Sequence, residues 1–445
     1  MPLPSLAHRR AGAWLLASLA LMLLGLAAAP AQAAAWRLSQ EPGGFGDARG
    51  PVAAGPADRK LVVWWEERLA PGGRPDGFLA HARKVDARGR PRGPIRQLHG
   101  PTGAPQLVYN PRRREYLLAW SGEWDGGARG PCRPWGGYMP PPDCETVETE
   151  VHVQRLDGAG RPLEAPRRIT ATGRADDPAA RSVLLDVEVD ARRDRYLVAF
   201  EASEGDHDRR LAVQSLDGRA REIGVDDATI PTERSEAFHG SLASRPRGRG
   251  YVLLYSLHRR IREGDILGQR LDAMGAPDGT PVAVATGTGA RRDGPVLLRA
   301  PRGPGYVAFW RTGTGQHPAI RVTAVSLDAR ARPTRRPSAL TRWSILASPT
   351  AARLGRSRVL LAWTQESSTD SEIHTRLLDV RGRALGPARR RTRTGADPRP
   401  GTVNPPPGSA RMPSLEPVTG GALLTFTAID GRDRRDDAYA RRLRR

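Results

Sequence analysis

The sequence predicts an all-β protein built from a repeated four-stranded unit, and three observations carry this prediction. An apolar run with an aromatic last residue recurs along the chain, a hydrophobic–Asp step follows most of these runs, and the runs are apolar on both strand faces. A strand that is apolar on both faces must be covered on both sides, which favours sheets stacked side by side over a two-layer sandwich. The predicted fold class is therefore a β-propeller of four-stranded antiparallel blades.

The repeated run sets the number of blades. Seven runs are present: Leu61–Trp65, Tyr116–Trp120, Tyr196–Phe200, Tyr251–Tyr255, Tyr306–Trp310, Val359–Trp363 and Ala422–Phe426. Their starts are separated by 55, 80, 55, 55, 53 and 63 residues, so a unit of about 55 residues recurs with one large insertion. The run is the second strand of each unit, and the strand repeats begin near residues 51, 104, 181, 237, 294, 348 and 411.

A turn signature follows the third strand of each of the first six units. The hydrophobic–Asp steps are Val85-Asp86, Leu156-Asp157, Leu216-Asp217, Leu271-Asp272, Leu327-Asp328 and Leu378-Asp379. A short carboxylate at this point can accept backbone N–H groups, and glycines such as Gly89 and Gly160 supply the positive φ that a tight turn needs. These aspartates are therefore predicted to be turn residues and not catalytic acids.

The last unit stops after its third strand. Trp36-Arg37-Leu38-Ser39 resembles the fourth strands of the other units and precedes the first repeat. We therefore expect residues 34–50 to complete the last blade, so that residues 34–445 form one closed domain without an exposed sheet edge.

The first 33 residues have the plan of a secretory signal peptide. Arg9 and Arg10 precede an apolar run from Ala11 to Ala29, and a small-residue site follows at Ala31-Gln32-Ala33. Cleavage near Ala33 would give a secreted or periplasmic protein, and no further apolar run is long enough to predict a membrane span. We expect a monomer.

One segment carries a family resemblance. Asp265-Ile266-Leu267-Gly268-Gln269-Arg270-Leu271-Asp272, together with runs such as Tyr196–Phe200, resembles the units of secreted bacterial β-propeller-repeat proteins. Most members of that group are functionally uncharacterised. The resemblance therefore implies an architecture and no particular activity.

The insertion in the second unit, residues 121–149, is the predicted binding element. It lies in a connection between second and third strands, on the rim where propellers usually bind ligands. Trp124, Trp135 and Tyr138 could stack on sugar rings or contact a partner chain, and the alternative is a lid that packs on its own blade. Cys132 and Cys144 are predicted to form a disulfide, because a close pair in an exported chain favours one over a metal site.

No catalytic residue, metal or cofactor is predicted. Acids near the rim, namely Glu66, Glu67, Glu123, Glu201, Glu263 and Glu366, cannot be paired from sequence, and His81, His152 and His374 are interpreted as packing or surface residues. The leading hypothesis is an exported, non-catalytic binding or scaffold protein that recognises an envelope or extracellular protein or polysaccharide through one propeller rim. The alternative is a glycan-acting hydrolase or lyase, which should gather acids and a base at the mouth of the central channel.

The charge allows a further, weaker partner class. The formal charge is +22, and removal of Arg9 and Arg10 leaves 22 − 2 = +20, which favours association with polyanions. The alternative explanation is genomic, because Lys60 and Lys84 are the only lysines and Arg and Ala are abundant, as a GC-rich genome would produce.

Overall fold

A computed structural model describes seventeen stretches of the chain: residues 35–39, 45–69, 75–98, 105–123, 149–172, 180–204, 209–232, 238–245, 250–260, 263–300, 305–314, 320–341, 345–346, 349–366, 371–392, 410–429 and 436–444. The predicted signal peptide lies outside them. The described residues form strands, turns and bends, which confirms the all-β prediction. Within this part of the chain, no helix has the length and hydrophobicity needed to cross a membrane.

The strands follow one another as short antiparallel meanders. In chain order they are β1 (Trp36–Arg37); β2 (Phe45–Ala54), β3 (Arg59–Leu69), β4 (Pro75–Asp86) and β5 (Pro91–Leu98); β6 (Gln106–Asn110), β7 (Glu115–Glu123), β8 (Thr149–Leu156) and β9 (Arg167–Arg168); β10 (Ala180–Asp190), β11 (Arg195–Glu204), β12 (Arg209–Asp217) and β13 (Glu222–Ile230); β14 (Phe238–Ser244), β15 (Tyr251–Arg260), β16 (Glu263–Leu271) and β17 (Val282–Ala285); β18 (Ala290–Arg299), β19 (Tyr306–Thr314), β20 (Ile320–Leu327) and β21 (Ser338–Ala339); β22 (Ile345–Leu346), β23 (Thr350–Leu354), β24 (Arg358–Glu366), β25 (Ser371–Asp379) and β26 (Arg389–Arg390); and β27 (Ala410–Val418), β28 (Gly421–Ile429) and β29 (Asp436–Arg444).

Two sheets depart from the simple four-stranded pattern. The runs β6–β9 and β10–β13 are joined into one sheet by a single parallel bridge between Arg181 and Thr149. The sheet of β24 has its first strand in two pieces, β22 and β23. The sheet of β27–β29 takes its fourth strand from the start of the chain, because Trp36 and Arg37 of β1 pair with Ala440 and Tyr439.

The core lies between neighbouring sheets. The residues Tyr196–Phe200 of β11 are each 0% exposed, which is the burial expected of a strand covered on both faces. The first strands of consecutive sheets lie beside one another in the order β2, β6, β10, β14, β18, β23 and β27, and β27 lies beside β2. A cluster that includes Leu38, Trp64, Val85 and Leu423 fills the space between the sheet of β2–β5 and that of β27–β29.

The pairing corrects the boundaries of the first apolar run. In the second unit Tyr116, which opens the run, pairs with Leu156, the residue before the turn aspartate. In the first unit the residue before the turn aspartate, Val85, pairs with Lys60. Leu61–Trp65 is a buried apolar run as predicted. The residues equivalent to Tyr116–Trp120 are nevertheless Lys60–Trp64, so the alignment of the first run with the others was wrong by one residue, because two adjacent tryptophans gave the pattern two possible ends.

The six turn aspartates share one geometry. The Oδ1 atom of Asp86 accepts the N–H groups of Arg88 at 2.8 Å and Arg90 at 3.0 Å. In the other five turns the aspartate Oδ1 likewise accepts the N–H groups of the residues two and four positions later, at 2.7–3.0 Å. These aspartates are Asp157, Asp217, Asp272, Asp328 and Asp379. The residue between these two donors has a positive φ in every turn, and it is Ala220 or Ala331 where it is not glycine. The aspartates are thus occupied by local backbone groups.

The residues after β1 bond as the fourth strands of other sheets do. The Leu38 N–H donates to Ala438 O at 2.7 Å, as Ile169, Leu340 and Arg391 donate to the third strands of their own sheets. The Ser39 hydroxyl accepts the Ala438 N–H at 3.3 Å, and Thr170, Thr341 and Thr392 accept equivalent amides at 2.9 Å. Arg83 donates to Leu38 O, as Arg376 donates to Leu340 O and Arg441 to Arg391 O.

Replacement of a turn glycine tests how tightly these turns seat against the neighbouring sheet. Gly160 has a φ of +78°, and a Cβ there would lie 2.7 Å from Leu61 Cδ1. We expect Gly160→Ala to lower the free energy of unfolding by about 2 kcal/mol, from left-handed backbone strain and overpacking together. The control is Gly386→Ala, because a Cβ there meets nothing within 4 Å. Equal urea midpoints for the two variants would contradict this account of the turn.

Candidate functional site

The predicted binding element lies outside the described residues. Trp124, Trp135, Tyr138, Cys132 and Cys144 all belong to the segment between Glu123, where β7 ends, and Thr149, where β8 begins. That segment joins second and third strands, so its two ends are on the same rim as the other connections of this kind. The candidate site is therefore defined by the described residues of the same rim.

The three equivalent histidines are packing residues. His81, His152 and His374 each stack on a tryptophan of the adjoining second strand, with ring centroids 5.7–5.9 Å apart and interplanar angles of 18–24°. In each case the two rings belong to directly opposite residues of the antiparallel pair. Such cross-strand ring pairs stabilise a sheet and explain the repeat of the histidine without a ligand.

The predicted rim acids do not converge as a group. Glu66 accepts the Trp64 indole N–H at 2.7 Å and lies 3.5 Å from His81 Nε2, and burial raises its pKa. Glu201 pairs with Arg209 at 3.1 Å, and Glu263 lines a polar cavity beside β18. Glu366 belongs to β24 in another sheet, and the side chains of Glu67 and Glu123 lie outside the described residues.

A different set of residues lies at this end of the first and second strands, and we call it the mouth cluster: His239, His258, Arg291, Asp293 and Arg311. The carboxylate of Asp293 accepts Arg311 Nε at 2.7 Å and Arg291 Nε at 3.1 Å. Asp293 is 6% exposed, whereas the side chain of Arg291 is 46% exposed. One buried carboxylate thus holds two guanidinium groups, one of them open to solvent.

Two imidazoles complete the mouth cluster. The His239 and His258 rings lie 5.9 Å apart at 46°. Burial lowers the pKa of His258 to about 4, and desolvation also lowers the pKa of His239, against the opposing influence of Asp293. Both rings are therefore neutral at pH 7 and can accept a proton, with Glu201 within electrostatic reach of His239.

Sequence reasoning missed this cluster because its members come from two sheets. His239 and His258 are on β14 and β15, whereas Arg291, Asp293 and Arg311 are on β18 and β19. No motif joins them. The available signal was positional, because all five lie at the ends of first and second strands that share one rim.

A polar cavity of about 250 Å³ adjoins the mouth cluster along β18. It is lined by Glu263, Gly264, Asp265, Thr286, Gly287 and Thr288. Arg292, the neighbour of Arg291, donates from Nη1 to Gly264 O and to Gly287 O, both at 3.0 Å. Arg292 therefore fixes the backbone of the cavity wall through these hydrogen bonds, whereas the carboxylates of Glu263 and Asp265 and the hydroxyls of Thr286 and Thr288 line the cavity.

Two further acids lie on β10, the first strand of the third unit. Asp186 Oδ2 accepts the Leu242 N–H at 2.7 Å, and Glu188 Oε1 accepts the Ser244 N–H at 3.1 Å. Both donors are on β14, the first strand of the next sheet, whose free edge would otherwise leave these amides without partners. Burial raises the pKa of Asp186 to about 6 and that of Glu188 to about 7.

These raised pKa values predict a pH dependence of stability. Between the ordinary carboxyl pKa of about 4 and pH 7 the folded state binds more protons than the unfolded state, so stability falls as pH rises through this range. We expect Glu188→Gln to raise the free energy of unfolding by about 1–2 kcal/mol at pH 8 and to leave it nearly unchanged at pH 4. Thermal melts at both pH values measure this. A gain at pH 4 equal to that at pH 8 would contradict it.

Comparison of the sequence with known proteins gave no match. No protein-family model matches the chain, and no curated protein matches it.

Solved structures do resemble it. A polysaccharide lyase, Uly1, is 9% identical with a TM-score of 0.49, covering 89% of this chain and 90% of its own. The Dos1 propeller is 11% identical with a TM-score of 0.47, covering 92% and 93%. A prolyl endopeptidase is 12% identical with a TM-score of 0.43, covering 90% of this chain, which spans 50% of that longer one. At identities of 9–12% and TM-scores below 0.5, no family and no function is carried over from these proteins to this chain.

Proposed function

We propose that the mature chain is a closed seven-bladed propeller, exported from the cell, that binds a carboxylate-bearing glycan at the mouth cluster. The observation that carries the binding proposal is the pair of arginines held by the buried Asp293 carboxylate at the inner rim. The second candidate function is a glycan-acting enzyme at the same place.

Three features support the closed ring of seven blades. The first strands follow one another in order, with β27 beside β2. The joined sheet of β6–β13 divides at one bridge into two four-stranded units. Leu38 and Ser39 make the same amide, hydroxyl and arginine contacts as the fourth strands of other sheets. Cleavage near Ala33 would leave these residues free to take that position.

The electrostatics of the mouth cluster suit an anionic ligand. Two guanidinium groups face one carboxylate, and the histidines are neutral, so the cluster keeps a net positive charge at pH 7. Arg291 donates to Asp293 through Nε, which leaves its outer N–H groups for a ligand carboxylate. The adjoining cavity offers carboxylate and hydroxyl groups to the hydroxyls of a neighbouring sugar.

Calorimetric titration tests the binding proposal. The probes are an oligosaccharide of uronic acids and a neutral oligosaccharide of the same length. We expect only the acidic probe to bind, and Arg291→Gln to weaken it about tenfold, because one charge-assisted contact is lost. Arg167→Gln, at an exposed position of β9, is the matched control. Equal binding of both probes, or no effect of Arg291→Gln, would overturn the proposal.

The inserted segment is tested in the same assay. Residues 124–143, which include Trp124, Trp135 and Tyr138, are replaced by a short Gly-Ser linker. If the segment contributes to recognition, the affinity falls for wild-type Arg291 and for Arg291→Gln alike. Unchanged affinity assigns recognition to the mouth cluster alone.

The two neutral imidazoles favour the enzymatic alternative. An imidazole near arginines that neutralise a uronate carboxylate could take the proton from the carbon next to that carboxylate. The freed electron pair would form a C=C bond as the bond to the linked sugar oxygen breaks, and that oxygen would take up the proton from the imidazolium. Incubation with the acidic oligosaccharide, followed by detection of an unsaturated product, tests this. An active chain should lose product formation in His239→Gln while retaining binding, and absence of product in the wild type removes the enzymatic alternative.

A further inference from the structure

The opposite rim carries a repeated arrangement of arginines, which we call the turn pairs: Arg88/Arg90, Arg219/Arg221, Arg330/Arg332 and Arg381/Arg383. Each pair flanks the positive-φ residue of a turn between third and fourth strands, in the pattern Asp-x-Arg-Gly/Ala-Arg. All eight arginines are exposed. Among the described residues, none of these eight guanidinium groups forms a salt bridge.

Each turn presents its pair rigidly. The aspartate binds the backbone N–H groups of both arginines at 2.7–3.0 Å, and the residue between them is buried. A Cβ at Gly89 would contact Leu423 of the adjacent sheet, and a Cβ at Gly382 would contact Val307. The centre of each turn is therefore anchored between sheets, and the two side chains project outward from it.

The charge of these turns is unbalanced. Every one of them has two guanidinium groups against one carboxylate, whose Oδ1 atom is occupied by backbone. The turns between first and second strands open at the same end of the sheets and add the exposed arginines Arg112, Arg192, Arg193 and Arg356. The resulting face is strongly basic and lies at the end of the sheets opposite the mouth cluster.

We propose that this face docks on a bilayer surface that contains anionic lipids. The four turn pairs come from four sheets that are not all neighbours, so one thin polymer chain would reach only some of them. A flat anionic surface reaches all four at once. Guanidinium groups bind lipid phosphates in a forked geometry, and basic residues near such a surface each contribute to partitioning. The mouth cluster then points away from the membrane and stays open to its ligand.

Vesicle co-sedimentation of the mature chain tests the proposal. The probes are vesicles of phosphatidylcholine alone and of phosphatidylcholine with an equal amount of phosphatidylglycerol. We expect binding to the anionic vesicles only, reduced by salt. R381Q/R383Q should weaken partitioning about 30-fold, as should the corresponding double variant of each other turn. The turn backbone is kept, because only side chains change.

The matched control is R389Q/R390Q, on the exposed strand β26 of the same sheet as Arg381 and Arg383. It removes the same charge and should change partitioning less than threefold. Equal losses in R381Q/R383Q and R389Q/R390Q would mean that net charge alone drives binding, which overturns the docking face. If only one or two of the double variants weakened partitioning, the ligand would be a linear polyanion and the bilayer assignment would be overturned. The same conclusion would follow if the protein bound dextran sulfate as tightly, per charge, as it binds vesicles.

Discussion

Leu38→Asp is expected to lower the free energy of unfolding by about 4 kcal/mol. Leu38 is 0% exposed and packs with Trp64, Val85 and Leu423 between the first and last sheets. Aspartate would remove this apolar contact and place a carboxylate in the same space. Because Leu38 belongs to the segment that follows β1, the effect measures how much the stability of the fold depends on residues 36–39.

The control for Leu38→Asp is Trp36→Ala, two residues away. Trp36 is 38% exposed, and the Cζ atom of Arg90 lies 5.4 Å from the centroid of its ring. We expect Trp36→Ala to lower the free energy of unfolding by about 1 kcal/mol or less, since an exposed cation–π contact contributes little to stability. Urea denaturation of both variants provides the comparison. If Leu38→Asp were as mild as Trp36→Ala, the first residues would not hold the last sheet, and the closed ring would lose its main support.

Glu416→Leu is expected to lower the free energy of unfolding by about 3 kcal/mol, because it leaves the buried Lys60 ammonium without its carboxylate. Lys60 is 2% exposed, and its Nζ donates to Glu416 Oε2 at 3.2 Å and to Gly55 O at 2.6 Å. Glu416 is on β27 and Lys60 on β3, so the ion pair joins the last sheet to the first. In the second to fifth units a tyrosine takes the place of Lys60.

The double variant Lys60→Met/Glu416→Leu distinguishes a broken pair from a lost contact. Replacement of both ions by apolar groups removes the uncompensated charge, so stability should return to within about 1 kcal/mol of the wild type. A double-mutant cycle in urea measures the coupling. A double variant as unstable as Glu416→Leu would show that Glu416 acts through packing and not through Lys60.

Local patterns predicted the repeated elements because their causes are local. A strand covered on both faces needs an apolar run, and a tight turn needs a short carboxylate with a residue of positive φ. The same logic failed at Trp64 and Trp65, since composition cannot decide which of two adjacent aromatics ends a run. Only the pairing of Lys60 with Val85 placed the first strand in register with the others.

The sequence by itself determined the all-β class, the repeat of about 55 residues and the turn aspartates, and it left open whether the repeated histidines are packing or surface residues. The tertiary structure alone decided which side chains meet across sheets. Asp293 lies within electrostatic reach of His258 and His239 only because β18 lies beside β14, and Asp186 accepts the N–H group of a residue 56 positions away. Register within a sheet followed from local pattern except in the first unit, whereas contacts between sheets depend on how their faces pack, which the pattern within one strand does not specify.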